Sequence, residues 1–188
     1  MINSFMTPIS KYTIGLRFGL LAGLLYIILL FIRYKFFNTN PIGFGLFALV
    51  SYFIILLMYL FTGIARKKEL GGFGDLKEIF QSIFIAILIA ELVYIVFNFI
   101  YLKFVDPAFW LNLKAASLSF YQKKGMTDEQ IDQAMKGFKD VDKTTKPDGL
   151  IKGFGYSVII DSVFGIIFAL ILRRKKLVPD EIVQETQL

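Results

Sequence analysis

A stretch of 24 residues, 79–102, contains a single charged side chain, Glu91, and is otherwise apolar or neutral. As an α-helix it would be about 36 Å long at about 1.5 Å per residue, enough to cross a bilayer core of about 30 Å. Glu91 would then lie near the bilayer midplane, where an ionised side chain costs at least about 2.5 kcal/mol. Other helices of the same chain are therefore needed to shield this carboxyl group from lipid.

The composition places the whole chain in the membrane class. Of its 188 residues, 56% are hydrophobic, and the mean hydropathy is +0.62, which is too apolar for a soluble domain of this size. Three further apolar runs are long enough to cross a bilayer. The sequence thus predicts an all-α polytopic membrane protein that forms one domain over residues 1–188. Its four spans are residues 14–32, 42–65, 79–102 and 151–172, with a helical extramembrane insert at 103–150 and a polar tail at 178–188.

The residue types that most enzymes use are missing from the sequence. The chain has no Cys and no His, which removes thiol nucleophiles, imidazole acid–base catalysis and the usual ligands of zinc, copper or haem. No catalytic residues, metal site or cofactor are predicted, and an enzyme is the least favoured class. The net charge of +6 comes largely from basic clusters beside apolar runs, at 66–68 and 173–176. This placement indicates membrane topology and argues against a nucleic-acid partner.

Small residues recur along two of the predicted spans. In the first span Gly15, Gly19 and Gly23 form a GxxxGxxxG ridge that lets another helix backbone approach closely. In the fourth span small residues also recur every four positions: Gly153, Ser157, Asp161, Gly165 and Ala169. Ridges of this kind pack against each other, so the fourth span is expected to pack against a ridge such as that of the first.

The insert begins with a sequence that favours a helix start. Asp106 followed by Pro107 matches an N-cap and a proline at the first helical position, so a helix is predicted from there to about Lys124. Gly125 fits the left-handed residue that ends such a helix.

Two capping boxes predict further helix starts. Thr127 and Gln130 have the spacing of a capping box, which predicts a second short helix over residues 128–138. Asp75 and Glu78 have the same spacing before the third span, so that helix is expected to begin just outside the membrane.

The basic clusters also bear on orientation. Four spans place both termini on one side of the membrane, and that side would receive the clusters at 66–68 and 173–176 next to the span ends. Short basic segments beside span ends favour the cytoplasm. Both termini are therefore predicted to be cytoplasmic.

Several of these features together resemble one known family. They are the Gly-Phe-Gly stretch at 72–74, the Asp-Pro-Ala-Phe step at 106–109, the Gly-Met-Thr-Asp-Glu-Gln-Ile segment at 125–131 and the small-residue fourth span. In these respects the chain resembles the domain-of-unknown-function 4199 family, small four-span inner-membrane proteins of Gram-negative bacteria. The resemblance implies a helical protein of the bacterial inner membrane. It brings no established activity and no catalytic residues.

The fourth span contains a second acidic residue, Asp161, which like Glu91 falls near the midplane. If the two carboxyl groups meet, burial and like charge favour the protonated form, and at least one is expected to be protonated near neutral pH. Tyr94, Asn98 and Ser157 lie on compatible faces and complete a candidate proton-binding site. One hypothesis is therefore a proton-coupled small transporter or a proton-sensing component.

A second hypothesis gives the acids a structural role, and it is the favoured one. Neutral Glu91 and Asp161 would hydrogen-bond across the bundle, to each other or to tyrosines such as Tyr26, Tyr52 or Tyr59, and fix the helix register. If one acid instead faces a partner subunit, the protein would be an accessory component of a membrane complex. The predicted partners are the lipid bilayer and either further copies of this chain or a larger membrane-protein complex.

Overall fold

The computed structural model describes residues 10–138 and 146–174, and this part of the chain is helical. In chain order the helices are α1 (Ser10–Phe36), α2 (Pro41–Glu69), α3 (Leu76–Ile100), α4 (Phe109–Lys123), α5 (Asp128–Ala134) and α6 (Pro147–Leu172). Within the described ranges α1, α2, α3 and α6 are the helices long and apolar enough to cross a membrane. The predicted all-α class with four transmembrane helices is confirmed. The polar tail at 178–188 lies outside the described residues.

Each long helix extends beyond the apolar run that predicted it. The third helix continues past Ile100 into a π-helical turn, Tyr101–Val105. The second begins at Pro41, where the Asn40 side chain accepts a hydrogen bond from the Gly43 N–H at 3.0 Å. Hydropathy marks only the part of a helix that suits lipid, whereas backbone hydrogen bonding continues through polar flanks until a cap ends it.

The third helix lies at the centre of the bundle and packs against α1, α2 and α6. Its inward face is made of small and β-branched residues that are fully buried: Ile79, Ile83, Ala86, Ile87 and Ala90. Glu91 follows this face directly, so this acid is carried by a helix that packs against all three other long helices.

The glycine ridge of α1 lies directly against α3. A Cβ atom on Gly15 would lie 2.7 Å from the Ser82 carbonyl oxygen, and one on Gly23 would lie 2.9 Å from the Val93 Cβ. Real Cβ atoms do not approach other atoms so closely, so the two helices can lie this near to each other only because these residues are glycines.

The ridge of the last helix differs from expectation. Gly165 does face a helix, since a Cβ there would lie 3.1 Å from Ile83 Cγ2, but the neighbour is α3 and not α1. Gly153 is exposed and has nothing within 4 Å of its Cβ position, so it packs against no helix in the described structure. A four-residue repeat shows which residues share a face. It does not show how far along that face the neighbouring helix extends.

The insert packs against the end of the bundle through α4. Phe109 and Leu113 are buried in a cluster with Tyr34 and Phe44 of the first two long helices. This helix starts at Phe109 and not at Pro107, and the Asp106 carbonyl oxygen instead accepts the Phe109 N–H at 3.1 Å in a turn. The buried position of Phe109 sets where the helix starts, and the local capping signal does not.

The predicted capping boxes are both present. The Thr127 N–H donates to Gln130 Oε1 at 3.0 Å and starts α5, which continues as a 3₁₀ turn to Phe138. The Asp75 N–H donates to the Glu78 side chain at 3.3 Å. Gly125 has φ +72°, the left-handed conformation expected for it.

The loop between α2 and α3 is joined to the end of α6. Gly74 and Arg174 form an isolated antiparallel bridge, with N–H to O distances of 3.0 and 3.1 Å in the two directions. The Arg174 guanidinium lies 5.4 Å from the centre of the Phe73 ring. This bridge places Arg173 and Arg174 at the same end of the bundle as the basic residues 66–68.

Candidate functional site

A cavity of about 410 Å³ lies between the four long helices, and both Glu91 and Asp161 line it. Its walls are mostly apolar, with polar side chains contributed by all four helices. Those polar side chains are Tyr26 and Arg33 from α1, Ser51 and Tyr52 from α2, Glu91 and Tyr94 from α3, and Ser157 and Asp161 from α6.

Glu91 is held by a tyrosine of the first helix. Its side chain is buried, with 2% of the residue exposed, and Oε1 accepts a hydrogen bond from the Tyr26 hydroxyl at 2.9 Å. Glu91 and Gly19 lie on facing helices, and the close approach that the glycines allow brings the Tyr26 hydroxyl within reach of α3.

Asp161 is held by a tyrosine of the second helix but keeps one oxygen free. The Tyr52 hydroxyl donates to Oδ1 at 2.9 Å. The residue is 2% exposed, and its Oδ2 has no hydrogen-bond partner among the described residues. The Tyr59 hydroxyl of α2 is likewise buried without a hydrogen bond of normal geometry in this part of the chain, and it neighbours Asp161, as the Glu91 carboxyl group does. Buried polar atoms are nearly always paired, so this end of the cavity has unused hydrogen-bonding capacity.

Two of the three neutral residues predicted for the site lie in it. Tyr94 lines the cavity, and its ring packs on that of Tyr26 at a centroid distance of 4.9 Å. Ser157 lines it from the last helix. Asn98 does not line the cavity, because its side chain accepts a short hydrogen bond from the Tyr34 hydroxyl nearer the α4 end of the bundle. Seven-residue spacing places Glu91 and Asn98 on one helix face but two turns apart, and each meets a different tyrosine.

Sequence reasoning missed Arg33. It lines the cavity, yet its guanidinium lies 3.7 Å from the centre of the Phe44 ring and its Nε–H donates to the Phe44 carbonyl oxygen at 3.1 Å. The ion pairs formed by the described residues do not include Arg33, Glu91 or Asp161. No sequence signal distinguished this arginine from an ordinary basic residue at a span end.

The chemistry open to this arrangement is limited. Carboxyl groups and tyrosine hydroxyls can hold protons and exchange hydrogen bonds, and the tyrosine rings can contact a cation. Within the described ranges, no three His, Cys, Asp or Glu side chains are grouped so as to hold a metal ion. The site therefore has the parts of a binding site for protons or a small ligand.

The two buried tyrosines provide a matched test of this hydrogen bonding. Tyr26→Phe is expected to destabilise the protein by about 1–3 kcal/mol, because a buried carboxyl group loses its donor. Tyr59→Phe removes a hydroxyl that neighbours Asp161 but makes no hydrogen bond of normal geometry, so a clearly smaller loss is expected. Thermal unfolding in detergent measures both variants. Equal losses would show that the Tyr59 hydroxyl is paired.

A family model matches residues 17–174, a range that runs from the first transmembrane helix to the end of the last. Among curated proteins and among solved structures, nothing matches the chain. The family match takes in both acids, all four cavity-lining helices and the insert. Because it covers well over half of the chain, this protein belongs to the family described as protein of unknown function (DUF4199).

Proposed function

We propose that this integral membrane protein binds and releases protons at the cavity between Glu91 and Asp161, and that this exchange drives the movement of a small solute. The observation that carries the proposal is the meeting of two buried acids, Glu91 and Asp161, on one cavity of about 410 Å³, where Asp161 Oδ2 makes no hydrogen bond of normal geometry within the described residues. The role is one of binding and transport, without catalysis.

A change of protonation at Asp161 would alter the contact between two helices. An ionised carboxylate only accepts hydrogen bonds, whereas the protonated group also donates one. Asp161 belongs to α6, and its hydrogen-bond partner Tyr52 belongs to α2. Gain of a proton would let Asp161 donate to a nearby acceptor, and loss would leave it dependent on tyrosine donors. Proton binding is thereby coupled to the α2–α6 contact, a coupling that a transporter requires.

A structural role is the second candidate, and a different observation favours it. The Tyr26–Glu91 bond joins α1 to α3, and the Tyr52–Asp161 bond joins α2 to α6. Such bonds would fix register in an accessory subunit of a membrane complex or in a homo-oligomer. Only 17% of the most apolar window of α6 is buried within the chain, so its outer face is free for lipid or for a partner helix.

Replacement of the acids separates the two candidates. We expect Glu91→Gln and Asp161→Asn, singly and together, to remove the bands that these two buried carboxyl groups contribute to the pH-dependent infrared difference spectrum of the purified protein. The amides keep the size of the side chains and most of their hydrogen bonds, so thermal unfolding is expected to change little. Cells whose growth or solute uptake depends on the protein are expected to lose that growth or uptake when they carry these variants. Asp148→Asn, at an exposed position near the start of α6, is the matched control.

The results exclude one candidate or the other. If the phenotype survives while stability falls, the acids are structural and the proton site is wrong. If the phenotype disappears while the fold stays intact, a purely structural role is excluded. Affinity capture of the native protein tests the accessory-subunit candidate, which requires a partner in fixed stoichiometry.

We further propose that the protein lies in a bacterial inner membrane with both termini in the cytoplasm. The Gly74–Arg174 bridge supports this orientation, because it gathers the basic residues of the loop and of the α6 end on one side. In this orientation α4 faces the periplasm. Ser119→Cys lies at an exposed position of α4, and we expect an impermeant thiol reagent to label it in intact cells. Labelling only after lysis would reverse the orientation.

A further inference from the structure

The cavity is lined by two carboxyl groups that can carry negative charge, and no cationic side chain of the described residues is paired with them. Glu91 and Asp161 are each 2% exposed, and neither forms an ion pair within the described part of the chain. The cation on the cavity wall, Arg33, is held against Phe44 by its guanidinium–ring contact and its Nε–H bond. A buried carboxyl pair without a cation is balanced either by protons or by a cationic ligand.

Four aromatic side chains line the cavity together with the acids. The Tyr26 and Tyr94 rings meet at a centroid distance of 4.9 Å with an interplanar angle of 50°. The Tyr52 and Phe164 rings meet edge to face at a centroid distance of 6.2 Å. All four rings line the cavity with the acids. Aromatic faces beside a carboxylate form an environment that attracts organic ammonium groups, since the ring quadrupole and the charge act together.

An inorganic ion fits this lining less well. Divalent cations take six or more oxygen ligands, and the described residues offer no cluster of three acidic or otherwise metal-binding side chains here. The volume of about 410 Å³ is within the range of pockets that hold small organic ligands and is far larger than a single ion needs.

We propose that this cavity binds a small monovalent organic cation, an amine or quaternary ammonium ion, with its charge beside Asp161 Oδ2 and its apolar body against Tyr26, Tyr52 and Tyr94. The inference rests on the proposed proton-binding function and names the substrate class of the same site. The cation and the protons would occupy the carboxyl pair in turn, which is the exchange that the proposed transport needs.

The test uses the purified full chain in detergent micelles and titrates it with benzyltrimethylammonium chloride in a calorimeter. Benzoate, an aromatic anion of similar size, and sodium chloride at equal ionic strength are the matched ligands. We expect saturable binding of the ammonium ion alone. Asp161→Asn and Glu91→Gln are each expected to weaken it at least about tenfold, the change that corresponds to loss of one charge contact of about 1.4 kcal/mol. Asp148→Asn is expected to leave it unchanged.

Three results would overturn the proposal. Equal binding of benzoate, or binding that both acid variants retain, would indicate partition into the micelle. Saturable heat with sodium chloride alone would indicate an inorganic cation site. Absence of any ammonium binding, with the pH-dependent infrared carboxyl bands intact, would refute the substrate class while leaving the proton site standing. If those bands are also absent, the proposed function itself fails. The comparison between ammonium and benzoate needs no variant, so an acid variant that fails to fold does not prevent the decision.

Discussion

Gly19→Leu is expected to abolish the packing of α1 on α3 and to lower stability by about 3 kcal/mol or more. A Cβ at this position would already lie 2.9 Å from the Ile89 Cβ and 3.0 Å from the Ala86 Cα and carbonyl oxygen. Two of these atoms belong to the α3 backbone and cannot rotate away, so the helices must separate. Separation would also break the Tyr26–Glu91 hydrogen bond and open the cavity.

The matched control is Gly45→Leu. Gly45 lies inside α2, is exposed, and has nothing within 4 Å of its Cβ position. The same substitution there should be neutral, or stabilising by up to about 1 kcal/mol from helix propensity. Thermal unfolding in one detergent compares the two variants. Similar midpoints for both would mean that α1 and α3 do not approach as closely as their glycines indicate.

This helix pair shows what the sequence could and could not predict about the fold. The spacing of Gly15, Gly19 and Gly23 identified a close-packing face, because a four-residue repeat in a helix marks one side. It did not identify the partner. The expected neighbour was the ridge of α6, whereas the actual neighbour is α3, on which the small residues Ser82, Ala86 and Ala90 recur every four positions among β-branched ones. Long-range pairing depends on how several faces fit together, and no single helix encodes it.

The candidate site shows the same division between local and long-range information. The sequence shows directly that two acids lie in apolar runs. Because a charged side chain that faces lipid is high in energy, both acids are predicted to face the interior of the bundle. Tyr26 and Tyr52 were among several tyrosines available as partners, and only the packing of the bundle selects them. Arg33 could not be found from the sequence, because its role depends on Phe44 in another helix.

The start of α4 adds a case in which tertiary packing overrides local preference. Asp106 and Pro107 carry the residue types of a cap and a first turn, but the helix begins at Phe109. Phe109 is 1% exposed and its ring lies 4.6 Å from that of Tyr34. Burial of one aromatic side chain contributes about 1.5–3 kcal/mol, more than the roughly 1 kcal/mol of a typical cap. At Thr127 no such burial opposes the capping signal, and the capping box forms as predicted.

Glu69→Ala is expected to destabilise the protein by about 1–3 kcal/mol, the range for a buried group left without its partner. Its carboxylate is paired with Arg66, whose side chain is only 5% exposed at the end of α2. The Arg66 Nε atom is buried without a partner among the described residues, so Glu69 supplies most of what balances this guanidinium. The Glu69 side chain is 29% exposed, so this is a half-buried pair; its loss leaves the buried guanidinium without its carboxylate and destabilises more than loss of a pair exposed on both sides.

Asp148→Ala provides the comparison on the surface. Asp148 and Lys152 lie 4.0 Å apart with side chains 69% and 72% exposed, so the loss there should stay below about 1 kcal/mol. Chemical or thermal unfolding in micelles gives the two values. Equal small losses would show that Arg66 reaches water or lipid headgroups once Glu69 is gone.

The double variant Arg66→Met/Glu69→Ala decides whether the loss comes from the uncompensated charge. If burial of the cation causes the loss, removal of that cation as well should restore much of the stability lost in Glu69→Ala, because an apolar side chain of similar length suits the same site. If Arg66 instead stabilises through its own packing, the double variant should be less stable than the single one. Arg66 lies at the end of the bundle where Gly74 pairs with Arg174. A recovery would therefore mean that Glu69 stabilises this end of the bundle by balancing the Arg66 charge, and that an apolar side chain can replace the pair. The buried acids of the cavity differ, because they are proposed to be needed for function.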